Sequence, residues 1–600
     1  MLVYGGSVRQ ARPGELLEAL RARLRAWNAL PPGLPRHAAL VGLLVDAGSL
    51  AQGVLDADFA RRGQEDEVGP LGPASLAPSL ALARALRRSW EAGCATQPSV
   101  PEVCLAALER ERLPERVGLS VPEGFAYYAL YPEQYLEAAR GWSPAPPVLV
   151  VGIRGIGTSL ASVVAAARAL DDVPLTLRPG GPPFQRVCRL GPVLEQELRA
   201  LAARAQVAIV DEGPGLSGST FGAVADALEE RGVAPERLCF FPSHAGAPGP
   251  MASERHRARW GRARRRWCDF ESLFLREGPE RAPRLARWCE DLTGRALDAL
   301  EDLGGGAWRQ VVLPDAREWP AVHVEQERRK YRLRAERGVF LLKFAGLGAR
   351  GEQRWRRARQ LAEAGLAPPV EGLRHGFLVH RWLGDARPLS RDALPPKAPG
   401  LARVGEYLGF RARHLPVREQ ERGASLELLL EMARRNTSLA LGEALAGKLL
   451  SDGARHLAAL QREVRRVETD NKPHAWEWLA LPDGRLLKAD AVDHHDAHDL
   501  VGCQDIAWDV VGASVELGLD AEGEAWLARR VERVAGRALS PALRAFYRPC
   551  YLAFQLGHHV LAASALEARL PEEGARLREA GARYARRLGA LLLRPAPTWA

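Results

Sequence analysis

The chain has 600 residues, too many for a single hydrophobic core, so about two to four domains are expected. Hydrophobic residues make up 47% and charged residues 26%, the composition of an ordinary globular protein. The net charge is +10, but arginine far outnumbers lysine, a bias typical of a GC-rich genome. The charge therefore indicates only a mild preference for phosphorylated ligands, and nucleic acid is not expected as a partner.

Several classes of protein are excluded by simple patterns. Eight cysteines are scattered without C-x-x-C spacing, so neither a disulfide framework nor a structural zinc site is expected. The N-terminal sequence lacks the features of a signal peptide. The longest apolar stretch, residues 37–55, contains Asp46 and is too short to cross a bilayer. We expect a cytoplasmic protein with small-molecule partners and no membrane attachment; the oligomeric state is left open.

The first segment, residues 1–116, is predicted to be a helical accessory region. The stretches "GELLEALRARLRAW" and "LARALRRSWEAG" place apolar residues three and four positions apart, which is the period of an amphipathic helix. The second stretch ends on Gly93, a residue type that commonly terminates helices. This region offers no set of catalytic residues.

The second segment, residues 117–275, is predicted to form a parallel α/β sheet. "PVLVVGIRGIGTSLASVVAAARAL" predicts a buried strand, a glycine-containing loop and a helix, and "LTLRP", "VAIVDE" and "LCFFPS" predict further buried strands. Ligands bind such sheets at the carboxyl ends of the strands, where both glycine-containing loops lie. The arginine-rich run at 254–274 predicts a solvated helix, or a hood that supplies arginine to a phosphate.

The loop "VDEGPGLSGST" combines two kinds of ligand-binding chemistry. Asp211 and Glu212 end the strand, where their carboxylates suit the hydroxyl groups of a sugar. Glycine, serine and threonine follow at the start of a helix, where backbone N–H groups and the helix dipole attract an anion. A phosphorylated sugar has both features. Another nucleotide-binding α/β turn is the alternative.

This loop resembles the PRPP-binding loop of type I phosphoribosyltransferases, in which two acids precede Thr-Gly-x-Thr. The resemblance implies a Mg²⁺-dependent enzyme, in which Asp211 and Glu212 have catalytic roles at the ribose. The upstream "GIRGIGTS" resembles the pyrophosphate loop of that family. The PRPP-binding residues so implied are Arg154, Gly155, Asp211, Glu212, Ser217, Gly218, Ser219 and Thr220. The spacer after the acids is one residue longer than usual, and Ser217 replaces the common threonine.

Residues 276–316 are predicted to be a linker, and residues 317–600 an α+β domain of two lobes. "RKYRLRAERGVFLLKFAGLG" predicts a strand hairpin, "RGEQRWRRARQLAEAG" a helix and "HGFLVHRWL" a strand. The pattern after Ser390 is mostly helical. A group of strands followed by a group of helices indicates an α+β fold.

This domain resembles aminoglycoside phosphotransferases and choline kinases. Lys343 lies on a strand and Glu352 in the following helix, as do the lysine that holds ATP phosphates in kinases and its partner. The resemblance implies that Lys343 and Glu352 bind ATP and that Asp470 is catalytic. The metal ligands so implied are Asp490, Asp493 and Glu477.

One departure from the family affects activity. The family usually has asparagine five positions after the catalytic aspartate, where this chain has Ala475. Asn471 is instead adjacent to Asp470. Either Glu477 or His474 takes the metal role, or the lobe has lost phosphoryl transfer.

The stretch "DAVDHHDAHD" also permits a zinc site, because imidazole and carboxylate groups both bind zinc. The residues concerned are Asp493, His494, His495, Asp496 and His498. Use of the acids for Mg²⁺ is preferred over a dedicated zinc ion, since a kinase has its magnesium site at this point. A solvated polar loop is the third possibility.

The sequence thus predicts a bifunctional transferase, which uses PRPP in Mg²⁺-dependent phosphoribosyl transfer and ATP in phosphorylation of a small molecule. The alternative is a regulatory or stress-response protein that binds PRPP or a nucleotide and has a degenerate kinase-like lobe. A nucleic-acid modifier that uses the arginine-rich run is a third hypothesis. The sequence does not identify the acceptor substrate.

Overall fold

The computed structural model describes residues 8–276, 284–390, 398–417 and 423–594. Its first part comprises β1 (Arg9–Ala11), α1 (Pro13–Asn28), α2 (Leu34–Arg61), α3 (Leu71–Glu91), α4 (Ala106–Arg110), β2 (Val117–Leu119), α5 (Glu123–Tyr127) and α6 (Pro132–Arg140). β1 and β2 pair antiparallel and bring the two ends of the first segment together. The structure thus contains the helices that the apolar periodicity predicts for this segment.

The parallel sheet predicted for the second segment is present. Its elements are β3 (Val148–Ile153), α7 (Gly157–Ala167), β4 (Leu175–Leu177), α8 (Pro192–Ala202), β5 (Gln206–Val210), α9 (Ser219–Glu229), β6 (Leu238–Phe241), α10 (Glu254–Arg262), β7 (Arg264–Arg265) and α11 (Phe270–Phe274). The strand order is β4-β3-β5-β6-β7 with parallel neighbours throughout. The order reverses between β3 and β5, which is where sheets of this type bind ligands.

The arginine-rich run does not form one helix. It divides into α10, β7 and α11, and Arg264 and Arg265 of β7 pair with β6 at the edge of the sheet. Arg259 of α10 forms ion pairs with acids of α9. The run therefore serves to pack the edge of the sheet.

The small lobe of the third segment is an antiparallel sheet with one long helix. Its elements are α12 (Leu285–Trp288), α13 (Glu290–Thr293), β8 (Glu301–Asp302), α14 (Trp308–Val312), β9 (Lys330–Ala335), β10 (Gly338–Phe344), α15 (Gly348–Glu363), β11 (Val370–Arg374) and β12 (Phe377–Arg381). The strand order is β11-β12-β10-β9-β8. The edge strand β8 comes from the stretch 276–316, which the sequence predicts to be a linker.

The large lobe is mostly helical with short strand pairs. Its elements are β13 (Arg387–Pro388), α16 (Pro399–His414), α17 (Leu426–Leu441), α18 (Glu443–Ala454), α19 (Leu457–Glu463), β14 (Arg466–Val467), β15 (Trp478–Ala480), β16 (Leu486–Lys488), β17 (Gln504–Asp505), α20 (Ala507–Glu516), α21 (Ala521–Ala535), α22 (Pro541–Leu566) and α23 (Pro571–Leu593). The C-terminal half therefore has the two-lobed α+β arrangement that the sequence predicts. The domain boundaries at 116, 275 and 316 stay predictions.

One hydrophobic core joins the first segment to both of its neighbours. Leu40 of α2, Val164 of α7 and Phe344 of β10 all belong to it. α2 is apolar on nearly every side, as expected for a helix buried all round, and it packs on α1, α3, α7 and α15. Its length and composition would suit a membrane span, but 72% of its most apolar window is buried inside the protein. The core accounts for this apolar surface.

A buried polar cluster connects the same three parts. The Nε2 atoms of His37 on α2 and of His375 in the β11–β12 turn each lie 2.9 Å from Oε1 of Glu133 on α6. Burial alone would raise the pKa of Glu133, but hydrogen bonds from the two histidines lower it to about 2. The cluster therefore holds α2, α6 and the small lobe together through charge as well as apolar packing.

Candidate functional site

The loop after β5 carries two carboxyl groups that have no cation partner in the part of the chain that the structure describes. Glu212 Oε2 accepts a hydrogen bond from the N–H of Gly124 at 3.0 Å, and Asp211 is half-buried beside it. Burial raises the pKa of Asp211 to about 7, and burial with Asp211 and Glu123 nearby raises that of Glu212 to about 8. These acids are therefore partly protonated near neutral pH.

The hydroxyl groups of the same loop are largely used within the protein. Gly218 has a left-handed φ of 66° and precedes α9 as its N-cap. Ser217 donates to Ser219 at 2.8 Å, and Ser219 donates to the carbonyl oxygen of Pro183 at 3.0 Å. Thr220, in the first turn of α9, is half-buried. The loop has the predicted shape, but two of its three hydroxyls already have partners.

Arg154 is not aimed at this loop. Its guanidinium is buried, forms an ion pair with Asp66 and donates to the carbonyl oxygen of Thr176 at 3.0 Å. Gly155, next to it, has a φ of 149° that favours glycine. The structure thus brings Asp211, Glu212 and residues 217–220 together, while Arg154 connects β4 to the first segment.

Arg178 and Arg186, in the stretch between β4 and α8, are also engaged away from this loop. Arg178 donates from Nε to Oδ1 of Asp56 at 2.7 Å. Arg186 donates to the carbonyl oxygen of Gly181 at 2.8 Å. Neither guanidinium contacts the acids or the serines of the loop after β5.

A second candidate site is a cavity of about 290 Å³ between the two lobes. Lys343 on β10 and Trp382 after β12 line it on one side, and Lys472, Glu477 and Asp490 line it on the other. A concave site with a few convergent charged groups between two lobes is suited to a small, phosphorylated ligand.

Lys343 reaches this cavity because of strand alternation. Phe340, Leu342 and Phe344 of β10 are buried in the core, so Lys343 points to the opposite face. Its Nζ lies 2.6 Å from Oδ1 of Asp490, which follows β16. The structure thereby joins one residue predicted to bind ATP with one predicted to bind a metal.

Glu352 does not meet Lys343. The buried face of α15 includes Gly351, Arg354 and Leu361, at helical spacing. Glu352 lies to one side of that face, its side chain is 47% exposed, and it is 3.6 Å from Arg356. The predicted Lys343–Glu352 pair is therefore replaced by Lys343–Asp490. The spacing of the buried residues in α15 shows that Glu352 lies off the buried face of the helix.

Asp470 is enclosed rather than facing the cavity. It is fully buried and accepts hydrogen bonds from the hydroxyl of Tyr407 and from Nδ1 of His494, each at 2.8 Å. Burial alone would raise the pKa of Asp470, but Lys488 and His494 hold it well below its usual range. Its carboxylate is thus buried behind the cavity wall, away from the space in which a substrate hydroxyl would lie.

A second buried acid fixes the backbone of the loop around Asp470. Asp509 on α20 accepts hydrogen bonds from the backbone N–H groups of Asp470 at 2.7 Å and Asn471 at 2.9 Å. Asn471 has a left-handed φ of 63°. This bend directs Asp470 inward and lets Lys472, the next residue, line the cavity.

The acids of the cleft already have cationic partners from the chain. Lys488 is fully buried, 3.3 Å from Oδ2 of Asp470 and in contact with Glu477. Asp490 has Lys343 as its partner, and Nε of Arg328 lies 3.2 Å from Asp493. A magnesium ion needs carboxylate oxygens that are free to bind it. The predicted metal ligands therefore do not fit a resident Mg²⁺, although Asp490 and Asp493 lie close together.

The zinc alternative is not favoured by the positions of the three histidines. His494 contacts Asp470 and Asp490, and burial opposes its protonation, but these acids raise its pKa to about 9. His495 lies 3.7 Å from Glu468. His498 lies 3.1 Å from the hydroxyl of Tyr128. The imidazoles thus turn toward three different partners, and Asp496 is paired with two arginines of α15.

Sequence reasoning missed Lys472 and Lys488. Lys472 is half-buried at the cavity wall, and Lys488 ends β16 beneath it. The available signal for Lys472 was the polar stretch that precedes Glu477, and that for Lys488 was its place at the end of an apolar strand. It was not decisive, because a lysine beside an acid is more often on the solvated surface.

No protein-family model matches this chain, and no curated protein matches it. Among solved structures, a choline/ethanolamine kinase family protein from Mesorhizobium loti is similar, with 18% identity over 50% of this chain and 90% of its own and a TM-score of 0.34. The choline kinase LicA from Streptococcus pneumoniae is similar with 14% identity over 43% of this chain and 89% of its own, and a TM-score of 0.31. The macrolide 2′-phosphotransferase MphH from Brachybacterium faecium has 16% identity over 43% of this chain and 88% of its own, and a TM-score of 0.29.

These similarities are to kinases and an antibiotic phosphotransferase, and they extend over about half of the chain. Because the TM-scores lie below 0.5, the kinase-like interpretation of the C-terminal half rests on its lobes, its sheet and the Lys343–Asp490 pair. The phosphoribosyltransferase resemblance gains no support from solved structures and stays a prediction, as does a cytoplasmic location.

Proposed function

We propose that the cleft between the two lobes binds a nucleotide, with ATP as the first ligand to test, and that the protein has a regulatory rather than a phosphorylating role. The observation that carries the proposal is the Lys343–Asp490 ion pair, with 2.6 Å between Nζ and Oδ1, at the wall of the cavity between the lobes. A lysine ammonium is a common phosphate ligand, and aromatic Trp382 lines the same cavity.

Two functions were expected from the sequence, a bifunctional transferase and a regulatory protein with a degenerate kinase-like lobe. Phosphoryl transfer by a kinase uses a carboxylate that accepts the proton of the substrate hydroxyl. Asp470, the residue expected in that role, is fully buried with three donors around it. This favours the regulatory alternative, and transfer by the cleft remains a prediction.

ATP binding is tested by calorimetry and thermal shift on the full chain. We expect saturable binding by the wild type and a loss of affinity of about tenfold or more for Lys343→Met, since a charged hydrogen bond contributes about 1.5–3 kcal/mol. Arg334→Met on the neighbouring strand, whose side chain is 60% exposed, is the matched control and should bind as the wild type does. Unchanged affinity in Lys343→Met would reject this site.

A second candidate function is binding of a phosphorylated sugar such as PRPP at the loop after β5. The observation in its favour is the pair of half-buried carboxyls with raised pKa values, Asp211 and Glu212, at the reversal of strand order. Their raised pKa values suit hydrogen bonds to sugar hydroxyls. The arginine partners expected for pyrophosphate are engaged elsewhere, which favours binding over phosphoribosyl transfer.

This candidate is tested with PRPP in a thermal shift assay. A ligand present at 100 times its Kd stabilises a protein by about 2.7 kcal/mol, so binding would give a clear increase in Tm. We expect the increase to be lost in Asp211→Asn and retained in Glu236→Gln, an exposed acid outside the loop. No increase in the wild type would remove PRPP as the ligand.

A further inference from the structure

The acidic centre of the cleft is neutralised by the chain itself. Lys488 Nζ is fully buried between Asp470 and Glu477 and also donates to the backbone carbonyl of Asp490. Lys343 occupies the side of Asp490 that faces the cavity. The position at which these acids converge is thus filled by an ammonium group.

Lys472 lies near the acids of the cleft but makes no ion pair within 4 Å in the described part of the chain. Burial alone would lower its pKa, but Asp499, Glu477 and Asp490 raise it. Its side chain lines the cavity, and no ion pair or hydrogen bond of this residue occurs among the described residues. Arg328, by contrast, is held by Asp493, and Lys330 by Glu327. An ammonium group without a direct hydrogen bond at the cavity wall is available to an anionic ligand, whose phosphates would also lie near Asp499.

The cavity-facing side chains of this stretch are Lys472 and Glu477. Asp470, which the sequence predicts to be catalytic, lies two positions before Lys472 and is fully buried. The stretch therefore presents a lysine and a glutamate to the cavity instead of the predicted catalytic aspartate.

We propose that the cleft binds the phosphates of a nucleotide without a divalent metal ion, with Lys488 in the position that a metal would need and Lys472 as the cation that contacts phosphate. The proposal rests on nucleotide binding as the function of the cleft. A metal ion bridging the phosphates and these acids would have to displace Lys343 from Asp490 and Lys488 from Glu477. The phosphates instead contact the ammonium group of Lys472, which lines the cavity.

The test is ATP affinity measured by calorimetry in excess magnesium and in excess EDTA, on the full chain. We expect the two affinities of the wild type to agree within about twofold. Lys472→Met should weaken binding about tenfold or more in both conditions, as removal of a charged hydrogen bond does, whereas Lys472→Arg should retain most of the affinity. Arg334→Met is the control for a general loss of positive charge.

The outcomes separate this proposal from the function on which it rests. Binding that requires magnesium, or that is unchanged in Lys472→Met, overturns metal-free binding through Lys472 while nucleotide binding survives. No ATP binding by the wild type in either condition overturns both. Circular dichroism and the Tm of each variant establish that a loss of affinity is not a loss of fold.

Discussion

Two acid-rich regions of the molecule differ in how their charge is balanced. In the cleft, Asp470, Asp490 and Asp493 each have a lysine, histidine or arginine within 3.5 Å. At the carboxyl end of β5, Asp211 and Glu212 have no such partner among the described residues, and burial raises the pKa of both. The acids of the cleft are thus balanced by side chains without a metal ion. The acids of the loop can be balanced only by protonation or by a bound ligand.

The largest effect is expected from Lys488→Met. The change leaves Asp470 and Glu477 without their shared cation in a buried site, and breaking a buried ion pair costs about 3–5 kcal/mol. Urea unfolding of the variant measures the loss. The double variant Lys488→Met with Asp470→Asn should recover part of it, because one buried charge is removed. A loss below about 1 kcal/mol would show that the cleft is not balanced by Lys488.

A smaller, pH-dependent effect is expected from Glu212→Gln. The folded pKa of Glu212 is raised to about 8 from 4.5, so the folded state binds this proton more tightly than the unfolded state. The resulting stability is complete below about pH 4.5 and is lost as the pH rises toward 8. Glutamine, which stays neutral, should therefore stabilise the protein by about 1–3 kcal/mol at pH 8 and by little at pH 5.

Thermal unfolding at the two pH values measures this difference. Glu236→Gln, at an exposed acid in the same segment, is the control and should have the same Tm shift at both. An equal effect of Glu212→Gln at pH 5 and pH 8 would mean that the carboxyl is ordinary and solvated, which would remove the contrast between the two regions.

The smallest effect is expected from Glu352→Gln. The side chain is 47% exposed and lies near Arg356, so the free energy of unfolding should change by less than about 0.5 kcal/mol. ATP affinity should also be unchanged, in contrast to Lys343→Met. A tenfold loss of affinity in Glu352→Gln would mean that Lys343 pairs with Glu352 when nucleotide is bound.

The local sequence pattern was sufficient to predict the helices and strands. It was not sufficient to predict which side chains face the cleft. The alternation in "GVFLLKF" is local information, and in the structure it places Lys343 opposite the core face of its strand. The loop from Asp470 to Lys472 has no such periodicity, and which residue faces the cavity depends on Asp509, 39 positions away from Asp470. The direction of Asp470 was therefore beyond a prediction from the local sequence.

The sequence alone determined the helical first segment, the parallel sheet and the strand hairpin that carries Lys343, because hydrophobic periodicity is local and reports directly which face of each element is buried. Only the tertiary structure decided which charges meet: Lys343 with Asp490, Lys488 with Asp470 and Glu477, and Arg154 with Asp66. Such pairs join distant parts of the chain, and the partner of a buried charge is set by the packing that removes water around it.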